Sequence, residues 1–94
     1  MSPLLSAVEI QNQLQTLSHW QLDGKTIQTV KKFDGFPSAI AFVNRLVAPA
    51  EAAGHHPDLA IAYNQVTIRL STHDAGGLTR KDFDLAQQID ALEN

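Results

Sequence analysis

The chain of 94 residues contains no cysteine, which excludes disulfides, thiolate nucleophiles and cysteine-based zinc sites together. Basic residues are also few, seven against ten acidic ones, for a formal net charge of −3. They gather no further than the pairs Lys31-Lys32 and Arg80-Lys81, so no electrostatic footprint for a nucleic acid is present. No segment approaches the ~20 apolar residues of a membrane-spanning helix. The opening Met1-Ser2-Pro3-Leu4-Leu5-Ser6 has neither a basic flank nor a long apolar run. A secretory leader is therefore not expected, and a cytoplasmic protein is.

What is present describes an ordinary globular chain. Hydrophobic residues make up 44% and charged residues 18%, a balance that argues against disorder. The length is that of one domain, read as spanning residues 1–94. Its core would be thin, and small domains of this kind often gain stability by self-association.

Punctuation and periodicity divide the chain into seven elements. Ser6 and Glu9 form a capping box, and Ala7, Ile10, Leu14 and Leu17 recur at helical spacing, which predicts a helix over about 7–17. Trp20 and Leu22 alternate up to Asp23-Gly24, a hairpin signal, and a second strand follows from Lys25 to about Phe33. Phe36-Pro37-Ser38 opens the next helix, with Ile40, Val43, Leu46, Val47 and Ala50 along one face. Gly54 is placed to end it as a left-handed C-cap, and Pro49 inside it should kink the last turns. Leu59, Ile61 and Tyr63 alternate, as do Val66, Ile68 and Leu70, with Asn64-Gln65 read as the turn between them. After the turn-rich Asp74-Ala75-Gly76-Gly77, a second capping box, Thr79-x-x-Asp82, starts a final helix. Leu78 and Phe83 are its hydrophobic staple, and Leu85, Ala86, Ile89 and Leu92 share a broad face. The order αββαββα predicts an α+β fold: a four-stranded antiparallel sheet with three helices packed on one face.

Polar residues with chemical potential gather around the second hairpin. If Asn64-Gln65 is the turn, Tyr63 pairs with Val66, Ile61 with Ile68 and Leu59 with Leu70. The same register then sets His56 opposite His73, on the face of Ala60, Ala62 and Arg69. Pro57 holds the residue before it extended, so His55 and His56 should point apart. Glu51 stands four residues before His55 at the end of the second helix, and Asp82 sits in the first turn of the last one, where its charge suits the helix dipole. His19 joins none of these groups and is assigned to the surface. Three imidazoles and two carboxylates can thus meet at one end of the sheet. That set suits acid/base chemistry near neutral pH. It also suits a metal site of three histidines and a carboxylate, although no His-x-x-x-His pair on a helix is present, and spacing alone leaves both open.

The ordered set Glu51-x-x-x-His55-His56-Pro57, Tyr63, His73 and Asp82 resembles the signature of the pterin-4a-carbinolamine dehydratases. Tyr63-Asn64-x-Val66, Leu70-Ser71-Thr72-His73 and Gly77-Leu78 agree with it, and the resemblance is dense from Phe42 to Ile89, with Trp20 matching before that. Gly54, Leu59, Lys81 and Pro49 depart from common family text. The resemblance implies the α+β fold above and a dimer or tetramer. It implies dehydration of 4a-hydroxytetrahydropterin to quinonoid dihydropterin, with no cofactor and no metal. It further implies catalytic roles for His55, His56 and His73, and substrate-binding roles for Glu51, Pro57 and Asp82. His56 is expected as the base, with His55 and His73 assisting proton transfer to the hydroxyl. Glu51 and Asp82 are expected to orient imidazoles or to bind the ring's polar edge. Two other readings compete: a partner-binding or assembly protein of the same fold, and a small histidine-rich metalloprotein.

Overall fold

A computed structural model describes residues 3–92. The two residues at each end of the expected 1–94 domain, including the Met1-Ser2 start of the segment read against a leader, lie outside the described residues.

The chain runs α1 (Ala7–Leu14), β1 (Gln21–Asp23), β2 (Thr26–Lys32), α2 (Phe36–Ala53), β3 (Asp58–Ala62), β4 (Gln65–Leu70), a 3-10 turn at His73–Ala75, and α3 (Arg80–Ala91). The four strands form one antiparallel sheet in the order β1-β2-β4-β3, with the helices on one face, as the patterning predicts. Ile27, Val66, Ile68 and Leu70 from the sheet and Phe42, Leu46, Phe83, Leu85, Ala86 and Ile89 from α2 and α3 make the core. Burial of each large member contributes about 1.5–3 kcal/mol. Among the described residues no helix is long and apolar enough to cross a membrane.

Local chemistry accounts for where the elements begin and end. The Ser6 backbone N–H donates to Glu9 Oε1 at 2.8 Å, and the Glu9 N–H donates to Ser6 Oγ at 3.1 Å. The backbone and side-chain hydrogen bonds from Ser6 hold the Glu9 carboxyl below the usual carboxylate range. α1 is shorter than the 7–17 expected. Thr16 N–H bonds the Gln13 carbonyl and Leu17 N–H the Leu14 carbonyl, a tightening that closes the helix while Leu17 still packs on the core. α2 holds Pro49 within an unbroken span. Its buried residues are Ala39, Phe42, Leu46 and Ala50; of the expected face, Leu46 and Ala50 are buried and Val43 packs partly buried against the core. Phe42 turns inward, and Val47 is left exposed.

Both hairpins turn at a different place from the one expected. In the first, Asp23 pairs with Thr26, so the loop is Gly24-Lys25, with Gly24 at φ +62° supplying the left-handed residue. In the second, Ala62 pairs with Gln65 and the loop is Tyr63-Asn64, with Tyr63 itself at φ +52°. Contacts outside the hairpin fix this: Phe33 N–H donates to the Asn64 carbonyl at 2.8 Å, and Asn64 Nδ2 donates to the Phe33 carbonyl at 3.0 Å. Ile61 consequently faces Val66 and Leu59 faces Ile68. The displacement is an even number of residues, so every side chain keeps its expected face.

Candidate active site

The end of α2 delivers the first histidine. Gly54 adopts φ +60°, Gly54 N–H donates to the Glu51 carbonyl and His55 N–H to the Ala50 carbonyl. This pair of bonds is a Schellman motif, and it fixes His55 as the residue that leaves the helix. Pro57 follows, has no donor for the ladder, and β3 begins at the next residue. His55 and His56 diverge as expected: His55 is buried at 8% exposure and His56 is open to solvent.

His55 turns inward onto Asp82. Its Nε2 lies 2.6 Å from Asp82 Oδ1, and Asp82 is 0% exposed. The other carboxylate oxygen, Oδ2, accepts from Thr72 Oγ1 at 2.9 Å and from the Thr79 backbone N–H at 2.9 Å. Thr72 and Thr79 hydroxyls meet at 2.7 Å. Because Thr72 gives its hydrogen to Asp82, Thr79 must donate to Thr72, and the Thr79 oxygen in turn accepts from Lys81 N–H. With donors already converging on the carboxylate, the bond to His55 places the ring hydrogen on Nε2, and a neutral His55 keeps Nδ1 as an acceptor. Among the described residues no buried side-chain polar atom lacks a partner. The resemblance implies that Asp82 orients an imidazole or binds the ring's polar edge; the carboxylate is completely buried and lies against His55.

His56 has its own carboxylate. Its Nε2 stands 2.6 Å from Glu51 Oε2, and both side chains are exposed. His73 opens the 3-10 turn, held where Thr72 and Gly77 bridge backbone to backbone. The register that set His56 across from His73 does not hold: the ladder ends at Asp58↔Arg69, and its continuation would put Ser71 across from His56. The two histidines still meet, because both line a cavity of about 390 Å³ with Asp58, Arg69 and Ser71. They also line an adjoining cavity of about 220 Å³ that His55 and Lys81 complete. The larger volume falls in the ~300–1,000 Å³ range of small-molecule sites. On the other side of His56, Glu51, Pro57, Leu59 and Val47 line an apolar groove of about 200 Å³. Among the described residues, no group of three or more His, Asp or Glu side chains is arranged to hold a metal ion.

Sequence reasoning placed Arg69 on the face of the histidines but missed Thr72, Thr79 and Asp58 as parts of this neighbourhood. Thr79 was legible only as a cap and Thr72 only as text beside His73. Asp58 becomes visible once the register, which pairs it with Arg69, is known. Tyr63 lies at the far end of the hairpin and is largely exposed, so it joins no histidine. His19 is exposed, as expected.

Comparison with known proteins places this geometry in a family. The family model described as pterin 4 alpha carbinolamine dehydratase matches residues 3–92, and the chain belongs to that family. A protein of Cyanothece sp. (strain PCC 7425), provisionally named pterin-4-alpha-carbinolamine dehydratase, is 63% identical over 98% of this chain and 95% of its own. A Nostoc sp. (strain PCC 7120) protein of the same provisional name is 60% identical over 98% of this chain and 99% of its own. Among solved structures, a transcriptional coactivator/pterin dehydratase from Brucella melitensis is 35% identical, with a TM-score of 0.88 over 93% of this chain and 95% of that one. A pterin dehydratase-like protein identified as a RuBisCO assembly factor in the alpha-carboxysome is 25% identical, with a TM-score of 0.66 over 79% of this chain and 88% of that one.

Replacing Asp82 by alanine would leave His55 Nε2, the Thr72 hydroxyl and the Thr79 N–H without their acceptor in a dry environment. Denaturant unfolding of Asp82→Ala is expected to show a loss of roughly 3–5 kcal/mol. A loss below ~1 kcal/mol, the scale of a surface pair, would contradict the buried network.

Proposed function

We propose that this protein is a pterin-4a-carbinolamine dehydratase, a hydro-lyase that removes water from 4a-hydroxytetrahydropterin to give quinonoid dihydropterin during tetrahydropterin recycling. The observation that carries the reading is the meeting of His55, His56 and His73 around two joined cavities, with a carboxylate against each of the first two.

The reaction breaks the C4a–O bond. The hydroxyl departs as water after gaining a proton, while N5 gives up its proton and its electrons form the C4a–N5 double bond. Electrons stay within the substrate, so no redox partner, metal or covalent nucleophile is required. Groups that give and take protons near neutral pH are required, and imidazoles supply them. In this proposal His56 takes the N5 proton, its ring orientation held by Glu51. His55 and His73 bind the pterin and assist proton delivery to the hydroxyl, with Asp82 holding His55 in one orientation. Pro57 and the apolar groove beside it offer a wall for the flat ring. The roles of all six residues belong to the proposal, as does a cytoplasmic setting. The full set of His55, His56, His73 and Asp82 favours catalysis over the purely partner-binding role of a degenerate relative.

The test is the ultraviolet change on dehydration of 4a-hydroxytetrahydropterin. Wild-type protein is expected to accelerate it, and His56→Ala and His73→Ala to lower the rate by at least ~10²-fold with unchanged circular dichroism. Near-wild-type turnover in both variants would remove the chemistry from this cluster.

We further infer that the chain forms a homo-oligomer, a dimer or a tetramer. Every residue of the edge strand β3 is exposed, Leu59 (39%) and Ile61 (41%) among them, and Val47 (58%) of α2, which lines the same groove as Leu59, is exposed as well. An open apolar edge is a ready template for pairing. Light scattering at micromolar concentration is expected to give two or four times the chain mass of 10.3 kDa; a mass equal to one chain would contradict this.

A further inference from the structure

We propose that Thr72 is a positioning residue that sets the imidazoles of His55 and His73 relative to one another, its hydroxyl acting on the first and its backbone on the second. The proposal rests on the dehydratase reading above and adds to it the joint that holds two of its histidines together.

The backbone half of the joint is a closed loop. Thr72 stands just past the end of β4 and just before the 3-10 turn that His73 opens. Its N–H donates to the Gly77 carbonyl at 2.9 Å. Its own carbonyl accepts from the N–H groups of Ala75, Gly76 and Gly77 at 3.1, 3.0 and 3.3 Å. Gly76, at φ +76°, takes the left-handed conformation that turns the chain back. His73 thus begins a loop whose entry and exit are both tied to Thr72, and any movement of Thr72 carries the His73 backbone with it.

The side-chain half reaches His55 through one carboxylate. The Thr72 hydroxyl donates to Asp82 Oδ2 at 2.9 Å, and Asp82 Oδ1 lies 2.6 Å from His55 Nε2. The Thr79 N–H is the other donor to Oδ2, also at 2.9 Å. One donor leaves a carboxylate free to turn about its bond to Cβ; two donors from different directions fix its plane. That plane decides where Oδ1 meets the imidazole. A β-branched side chain on a tied backbone has little rotamer freedom, so Thr72 offers its hydrogen from a constant direction.

The hydroxyls hold geometry and do not conduct protons. Thr79 gives its hydrogen to Thr72 at 2.7 Å, and its oxygen accepts from the Lys81 backbone N–H at 3.3 Å. Thr79 is fully buried, and an amide does not release its proton near neutral pH, so the row has no source to feed it. What it supplies is position. An elimination that needs acid and base groups around one substrate is sensitive to that, since a misplacement of ~1 Å can cost ~10²-fold in rate.

The test uses Thr72→Val, which keeps the shape and removes the hydroxyl, beside Thr72→Ser, which keeps the hydroxyl. In Thr72→Val, kcat for carbinolamine dehydration is expected to fall by about 10- to 10²-fold, with the smaller part of the change in KM. Thr72→Ser is expected to recover most of the rate. With histidine rings labelled with ¹⁵N and no substrate present, the resonances of both His55 and His73 should move in folded Thr72→Val, while those of exposed His19 stay in place. Loss of stability alone would not produce that pattern. If Thr72→Val fails to fold, Thr72→Val with Thr79→Val carries the test, because neither hydroxyl is then left without its partner. Unchanged kcat in a folded variant lacking the hydroxyl, or a Thr72→Ser rate as low as that of Thr72→Val, would overturn the proposal. So would His55 and His73 resonances that stay unmoved. Wild-type protein that dehydrates no carbinolamine would overturn the dehydratase reading, and the ring resonances would still decide whether Thr72 joins the two imidazoles.

Discussion

The buried carboxylate of Asp82 joins three parts of the chain that the sequence keeps far apart. Its Oδ2 caps the first turn of α3 through the Thr79 N–H and ties that helix to the end of β4 through Thr72. Its Oδ1 holds the imidazole that α2 delivers. A charge with no solvent contact persists only when its lone pairs are met by well-placed donors, and here each donor comes from a different element. The cost of burying Asp82 is offset only if α2, β4 and α3 keep their relative positions. The geometry of the histidines therefore depends on the same constraint as the packing of the helices on the sheet.

Around that anchor the chain separates two adjacent histidines into different environments. The left-handed Gly54 fixes where His55 leaves the helix, and Pro57 holds His56 extended. One imidazole faces a buried carboxylate and the other an exposed one. Two identical side chains next to each other can then do unlike things, which an elimination that both donates and removes a proton requires. His73 arrives from a separate loop, closed by the Thr72–Gly77 bridge, at a distance that backbone pairing does not dictate. The open, polar side of the sheet supplies the remaining wall.

Much of this was readable from residue order. The αββαββα sequence, the one-sided sheet, both capping boxes, the Gly54 cap and the divergence of His55 from His56 all follow from short-range rules, because the residues that decide them are neighbours. The second hairpin was misplaced for the opposite reason. Asn64-Gln65 looks like its turn, but the position is set by hydrogen bonds between Asn64 and Phe33, residues no local pattern connects. Tyr63 then occupies a left-handed conformation uncommon for an aromatic residue. The faces survived the error because the slip was even, so the histidines and Arg69 were assigned to the right side of the sheet. Asp82 was legible as a cap and, by resemblance, as a site residue. That one carboxylate does both is a matter of which oxygen points where, and spacing does not carry that. Phe42 was passed over because α2 is apolar around much of its circumference, and only packing selects the inward stripe.

Asp82 holds His55 through Nε2, and in the proposed function His55 Nδ1 is the ring atom left to meet the pterin. Long-range proton–nitrogen correlation on protein labelled with ¹⁵N in the histidine rings reads this directly. At a pH where the ring is neutral, His55 is expected to show the Nε2–H tautomer, and its Nδ1 resonance to move as a tetrahydropterin is titrated in. A hydrogen found on Nδ1, or ring resonances of His55, His56 and His73 that stay unmoved at saturating pterin, would contradict the account.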